Sequence, residues 1–367
     1  MNMSTAQKCP ICGKADFFLH CSCCGFSESQ NFQTYPTLMP LPLPLNSLEG
    51  SRDKWHTSFK TRLRCEKCGG YGFYVSLASP YLTCMDCGFS PEDELLLSAL
   101  PGRKNPYTAL CAGLYHSLLL SYDHTVAAKG QNEAGQCDTS RWYRIVGISA
   151  GYFHTLGLRK DGKVNATGDN THGQCDVSEW SSIRMVAAGG SHSLGLKRNG
   201  YMLAIGDNRH GQCNVSGWWN ITAIAAGTRH SIGLCTDGSV SAVGSNSHGQ
   251  CDIYTWKNIT AISAGALHSV GLKKDGTVVA AGADTQQQCR VQSWTDVTAI
   301  SAGYAHTLGL RADGTVYAAG CNDQGQCNVG DWTDVVAIAA GGFHSLGLRK
   351  DGTILHTGNN HMGQCSF

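Results

Sequence analysis

Residues 297–320 read VTAISAGYAHTLGLRADGTVYAAG. Val297 to Gly303 and His306 to Leu310 are short, largely apolar stretches suited to a pleated strand, and Ala312-Asp313-Gly314 supplies the turn after them. Thr315 to Gly320 then reads as a third strand. Three strands joined by glycine turns make a small antiparallel sheet. Such a sheet cannot bury its own faces, so it requires neighbours of the same kind.

The neighbours are present in the chain. The Gly of an A-G-x-x-H element stands at Gly113, Gly151, Gly189, Gly227, Gly265, Gly303 and Gly341, always 38 residues apart. Its His follows at His116, His154, His192, His230, His268, His306 and His344. A Q-C pair closes each unit at Cys137, Cys175, Cys213, Cys251, Cys289, Cys327 and Cys365. A Trp lies between units at Trp142, Trp180, Trp218, Trp256, Trp294 and Trp332. Markers sharing one spacing, without insertions, define a repeat architecture. Seven units of 38 residues match the blade size and number of a closed β-propeller. The Trp residues, with Ile262, Ile300 and Ile338, are expected to fill the blade interfaces.

The blade text A-G-x-x-H-[ST]-L-G-L-x-x-D-G-x-V, followed by G-x-N-x-x-G-Q, resembles the regulator-of-chromosome-condensation repeat, as in Ala302 to Val316 and Gly168 to Gln174. The short unit is similar to the compact bacterial type found in a propeller-shaped β-lactamase inhibitor protein. The resemblance covers roughly residues 102–367 and implies a propeller fold. It does not choose among the exchange factors, chromatin binders, photoreceptor and inhibitors that the family contains. Two units depart from the text. Blade 1 has Ser121-Tyr122-Asp123-His124 at the turn, and blade 5 has Gln286-Gln287-Gln288, read as a candidate contact loop or as ordinary loop drift.

The chain has 367 residues with Lys+Arg 28 against Asp+Glu 27, and only 15% of it is charged, against about 25% in an ordinary globular chain. That balance excludes a polyelectrolyte tail or a globally basic nucleic-acid binder. Gly 45, Pro 9 and a hydrophobic share of 42% suit a turn-rich β protein. No run of 18 apolar residues is present and Met1 to Lys8 is polar, so the expectation is a cytoplasmic protein without membrane association.

The cysteines number 19 and fall into two ordered patterns, which favours reduced thiols and metal ligands over a disulfide framework. Cys9-x2-Cys12 pairs with Cys21-x2-Cys24, and Cys65-x2-Cys68 with Cys84-x2-Cys87. Four thiolates on two tight knuckles close a tetrahedral shell, so two structural zinc ions are expected, with no open position for catalysis. Cys23 competes with Cys24, but the shared C-G-F-S ending favours Cys24. The predicted organisation is thus mainly β: a zinc ribbon at 1–30, a Pro/Leu-rich spacer at 31–50, a second zinc ribbon with a basic flank at 51–101, and the propeller at 102–367. Arg52, Lys54, Lys60, Arg62, Arg64 and Lys67, with aromatics nearby, have the composition of a nucleic-acid surface or of a solvated basic face.

If the strands alternate direction, the A-G-x-x-H loops and the connectors that end in Q-C share one face of the disc. The x positions there escape the repeat's demands. They place Tyr115, Tyr152, Phe153, Tyr304 and Phe343 on blades 1, 2, 6 and 7, an apolar arc of the kind that anchors partners. His172, Arg209, His210, Arg229 and His248 form a polar, partly basic arc on blades 2 to 4. Seven equivalent His residues argue for a repeated structural hydrogen bond, since catalysis needs one convergent site. The expected function is therefore a non-enzymatic adaptor or inhibitor that docks a protein on this face, its propeller monomeric, with the ribbons as a second surface. The alternatives are a nucleic-acid-associated accessory factor acting through the ribbons and residues 52–67, and a guanine nucleotide exchange factor suggested only by family.

Overall fold

The alternation of short strands and glycine turns produces the expected sheets. The computed structural model describes residues 73–76, 79–84 and 107–367. The chain divides into two units, Met1–Pro101 and Gly102–Phe367. In the first, the described residues form one antiparallel hairpin of β1 (Phe73–Ser76) and β2 (Ser79–Cys84).

The second unit is a seven-bladed propeller of three-stranded antiparallel sheets. Blade 1 contains β3 (Tyr107–Ala112), β4 (His116–Ser121) and β5 (Val126–Gly130). Blade 2 contains β6 (Ile145–Ala150), β7 (His154–Arg159) and β8 (Val164–Gly168), and blade 3 contains β9 (Ile183–Ala188), β10 (His192–Lys197) and β11 (Met202–Gly206). Blade 4 follows with β12 (Ile221–Ala226), β13 (His230–Cys235) and β14 (Val240–Gly244), and blade 5 with β15 (Ile259–Ala264), β16 (His268–Lys273) and β17 (Val278–Gly282). Blade 6 is β18 (Val297–Ala302), β19 (His306–Arg311) and β20 (Val316–Gly320), and blade 7 is β21 (Val335–Ala340), β22 (His344–Arg349) and β23 (Ile354–Gly358). The second strand of each blade lies between the other two, and its first five residues are buried.

Each Trp packs between two blades. Trp142 and Ile145 join Leu118, Leu120 and Val126 of blade 1 in one cluster. The Trp142 ring also lies against Gly157 in the middle strand of blade 2, where an added Cβ would stand 2.6 Å from the ring. The same pairing recurs from Trp180 with Gly195 to Trp332 with Gly347. Blade 1 lacks the Trp, Lys104 standing 38 residues before Trp142. Its middle strand carries the fully buried Leu119 where the other blades have glycine. Ile262, Ile300 and Ile338 pack, partly buried, against three of the clusters.

The two departures from the repeat preserve its backbone. His124 adopts φ 66° where Gly162 has 79°, and its Nδ1 lies 3.1 Å from the Ile145 carbonyl. Gln287 adopts φ 68° at the position where Gly249 has 80°. In both cases a left-handed residue other than glycine supports the same turn. The blade 5 connector keeps the repeat's internal bond, Gln286 N donating to Gln288 Oε1 at 3.0 Å, so its altered text alters side chains alone.

The ring closes without strand exchange: blade 7 takes its three strands from the end of the chain, and β21 packs against β3. The seam repeats the imidazole–hydroxyl contact of every other junction. Each periodic His contacts, through Nε2, the hydroxyl that follows the His of the next blade, from His116 to Thr155 at 2.9 Å through to His344 with Ser117 at 2.7 Å. Six of the hydroxyls donate in turn to a buried glutamine's main-chain carbonyl, for example Thr155 to Gln136 at 2.7 Å and Ser345 to Gln326 at 2.7 Å. A hydroxyl whose proton goes to a carbonyl accepts at its oxygen, so at these six junctions the imidazole donates from Nε2. Its Nδ1 is then a bare acceptor, and all seven Nδ1 atoms are buried without a hydrogen-bond partner.

Burial, reinforced around most of the ring by neighbouring imidazoles, pushes these groups down to about 3 for His116, His192, His268 and His306 and to about 4 for His154, His230 and His344. The folded state therefore stays neutral where the unfolded chain binds protons. Stability is fully present above the ordinary imidazole pKa of about 6.5 and falls as pH drops below it. Each imidazole contributes a slope of about 1.4 kcal/mol per pH unit there, and the seven together withdraw roughly 10 kcal/mol within one unit. That is comparable with the whole stability of a typical domain, about 5–15 kcal/mol. An acid titration followed by tryptophan fluorescence should show one steep unfolding transition centred between about pH 4 and 6, with uptake of several protons. A shallow transition well below that range would contradict the buried-neutral ring.

Candidate partner-binding site

One face of the propeller carries both sets of loops that the repeat leaves variable. β3 and its equivalents run towards this face, and the third strand of each blade returns to it. The two loops of a blade are tied together, the first connector residue donating to the carbonyl of the second x residue. Examples are Asp169 N to Phe153 O at 2.7 Å and Asn359 N to Phe343 O at 2.8 Å. A belt of main-chain bonds then joins the blades around the axis. Leu114 N donates to Gly151 O at 3.3 Å and Tyr304 N to Gly341 O at 3.0 Å, and Gly342 N to Gly113 O at 2.9 Å closes the ring. Glycine is required in the belt, because a Cβ at Gly113 would stand 2.5 Å from both the Gly151 carbonyl and the His116 ring. The small Ala-Gly pairs leave a central cavity of about 70 Å³ on the axis.

The five predicted aromatics meet over this axis in one continuous cluster. Tyr115 stacks on Phe343 at 5.8 Å between centroids, Phe343 on Tyr304 at 5.5 Å, Tyr304 meets Tyr152 at 6.2 Å, and Tyr152 meets Phe153 edge-on at 6.4 Å. Tyr152 of blade 2 reaches across to blade 6 and hydrogen-bonds through its hydroxyl to Thr228 of blade 4. Burial pushes its phenol upward, the Thr228 bond opposing in part. Tyr304 is 40% exposed and the other four rings are partly buried. The sequence reading placed these rings where no structural demand acts, and the structure corrects that. They pack on one another, and the Tyr115–Phe343 stack spans the junction of blades 1 and 7.

The polar arc lies beside them. Arg209 is held by Asp207, Nε to Oδ1 at 2.8 Å and Nη2 to Oδ2 at 3.1 Å, which keeps the Asp207 carboxyl well below its usual range. Its Nη2 also donates to His172 Nε2 at 3.5 Å, linking blades 2 and 3. His210 and His248 are exposed on their connectors, and Arg229 is exposed next to Thr228, the hydroxyl that Tyr152 contacts. The connector scaffold beneath is regular. Each buried Gln accepts a main-chain N–H of its own loop, and each following Cys donates to a carbonyl six residues back, as Cys175 does to Asp169 O at 3.3 Å. These seven thiols are free, and burial pushes them up to about 11, or about 12 for Cys289. Such thiols react slowly with external electrophiles, because little of each is thiolate at neutral pH.

Of the predicted zinc ligands, Cys84 is the last residue of strand β2 and the first of its C-x2-C motif in the sequence. Cys9, Cys12, Cys21, Cys24, Cys65, Cys68 and Cys87 lie outside the described residues, as do Arg52, Lys54, Lys60, Arg62, Arg64 and Lys67. Among the described residues no group of three His, Cys, Asp or Glu is arranged to hold a metal ion.

A closed ring of three-stranded blades with its variable loops gathered on one face is a repeat β-propeller. Six of the seven blades, at residues 145–174, 183–212, 221–250, 259–288, 297–326 and 335–364, match the regulator of chromosome condensation (RCC1) repeat. The chain belongs to that repeat family. Blade 1, with its altered turn and Leu119, is supplied by the structure. Among solved structures, the receptor kinase CR4 ectodomain of Physcomitrella patens is similar at 18% identity, with 67% of this chain and 72% of that one covered and a TM-score of 0.57. The ACR4 receptor kinase ectodomain of Arabidopsis thaliana is similar at 19%, covering 68% and 95%, with a TM-score of 0.55. Prp20p of Saccharomyces cerevisiae is similar at 19%, covering 64% and 80%, with a TM-score of 0.52, and its structure was reported with its binding properties to Gsp1p and histones. No curated protein sequence matches the chain.

The aromatic cluster separates structural from accessible rings. Phe343→Ala removes a stack across the seam and should cost about 2–4 kcal/mol, whereas Tyr304→Ala, at the exposed ring, should cost under about 1.5 kcal/mol. Thermal or urea melts of the two variants check the order, and equal losses would show that the seam does not depend on Phe343.

Proposed function

We propose that this protein is a non-enzymatic binding protein that docks a protein partner on the aromatic face of its propeller. The observation that carries the reading is the continuous Tyr115–Phe343–Tyr304–Tyr152–Phe153 cluster, at positions whose residue type changes from blade to blade and beside the arc of Arg209, Arg229, His172, His210 and His248. Rings held by one another lose little rotamer freedom on binding, so a few of them can dominate affinity. Similar structures support a binding role for the fold, Prp20p having been studied for binding to Gsp1p and histones and seen with Kap60 bound. The periodic imidazoles are fully buried and neutral, which removes them from any chemistry on a docked molecule.

In this reading the N-terminal cysteines hold two structural zinc ions, and the ribbons offer a second docking surface. Their four-thiolate shells would fold small modules that have little core of their own.

Two measurements test the proposal. Purification of the tagged chain from its host, with and without nuclease and high salt, should yield a stoichiometric protein that survives both treatments. Tyr304→Ala should then weaken its affinity at least about tenfold while costing the fold less than Phe343→Ala does. Unaltered affinity, or a partner that vanishes with nuclease, would transfer the function to the ribbons and residues 52–67. Separately, metal analysis should find two zinc ions per chain, and Cys65→Ser with Cys68→Ser should lose one of them without moving the acid transition of the propeller.

A further inference from the structure

The blade 6 connector, Cys321-Asn322-Asp323-Gln324-Gly325-Gln326-Cys327, differs chemically from its six equivalents. Where it has Cys321, the others have Gln131, Asp169, Asp207, Ser245, Ala283 and Asn359. Among the described residues this is the one connector that holds two thiols, and both are free. The fold brings the two cysteines together. Like every Q-C thiol, Cys327 donates to the carbonyl six residues back, and here that carbonyl is Cys321's own, at 3.2 Å. The Cys321 thiol donates to Asp323 Oδ2 at 3.4 Å, an exposed contact. Burial is the main cause that pushes Cys327 up to about 11, with Cys321 adding to it. Cys321 is partly buried like Cys327, but its thiol sits in a surface contact with Asp323 whereas the Cys327 thiol is turned inward to a carbonyl, so Cys321 is the thiol that meets an oxidant first.

The geometry points to Cys321 and Cys327 as a reversible dithiol–disulfide modification site, oxidised by exchange with a small-molecule disulfide such as oxidised glutathione. The Cys321 thiol loses its proton to solvent, and its thiolate attacks one glutathione sulfur, giving a mixed disulfide and releasing one glutathione thiolate. Cys327 then loses its proton to solvent, and its sulfur attacks the Cys321 sulfur and displaces the second glutathione thiolate. Each released thiolate takes up a proton. Two protein thiols become one disulfide and one small-molecule disulfide becomes two thiols, so electrons and protons balance. The exchange requires Cys321 to leave Asp323 and Cys327 to leave the Cys321 carbonyl.

The site adjoins the binding face. Cys321 N donates to Ala305 O at 2.9 Å, and Ala305 follows Tyr304, the exposed ring of the aromatic cluster. Oxidation therefore acts on the connector that positions the Tyr304 loop.

The test uses the full chain incubated with oxidised glutathione or dithiothreitol, alkylated and digested with trypsin. Both cysteines fall in the single peptide Ala312–Arg349. After oxidation that peptide should be two hydrogens lighter and lose both alkylation sites, and dithiothreitol should restore them. Cys327→Ser should stop with one glutathione on Cys321, its melt showing that the variant is folded. A wild-type peptide that stays doubly alkylated, or that carries glutathione on Cys321 without the internal bond, would overturn the assignment. The wild-type result decides the matter even if Cys327→Ser fails to fold.

Discussion

The structure depends on a buried relay in which an imidazole N–H donates to a hydroxyl of the next blade and that hydroxyl donates to a main-chain carbonyl. It joins three sequence markers at once: the His of one unit, the Ser or Thr after the His of the next, and the Gln before the Cys. A charged imidazole would have no acceptor for its second proton, because Nδ1 faces no partner. The ring is therefore built for neutral histidine, and the glycine beside each ring keeps the backbone close enough for the contact. The Trp–Gly pairs add bulk between blades, while the relay sets which blade edge meets which.

Much of this was legible in the sequence because a repeat presents the same physical problem seven times. Seven equivalent histidines could not all serve one reaction, so a structural bond followed from counting, and the strand–turn pattern of residues 297–320 read directly as a three-stranded sheet. The aromatic arc was also readable as a set of positions. Its assembly was not. That Tyr152 crosses the axis to Tyr304 and Thr228 depends on the radius of the closed ring, which one blade's text does not express. Nor does local patterning show that Leu119 is the counterpart of a missing Trp, since glycine and Trp stand fifteen residues apart in the other blades and meet only after folding.

The face over the axis combines two properties that usually compete. Tyr304 is exposed on it, yet Tyr115 and Phe343 of the same cluster bridge the junction of the first and last blades. Among the described residues that junction has the smallest apolar cluster, Ala339, Leu346 and Cys365 with Leu110 and Ala112, and no Trp. On the proposed binding role, a molecule docked over the stack would also cover the joint between the first and last blades.

Every blade takes its three strands from one uninterrupted stretch, the last included. A propeller that shares a blade between its two ends must keep those ends matched, and its blade number is locked by that match. Here a duplicated or deleted 38-residue segment adds or removes a finished part, and the same His, hydroxyl and glycine contacts are available at the new joint. The blade number is therefore constrained by the angle at which neighbouring blades meet and by what spans the axis, not by a match between the two ends of the chain.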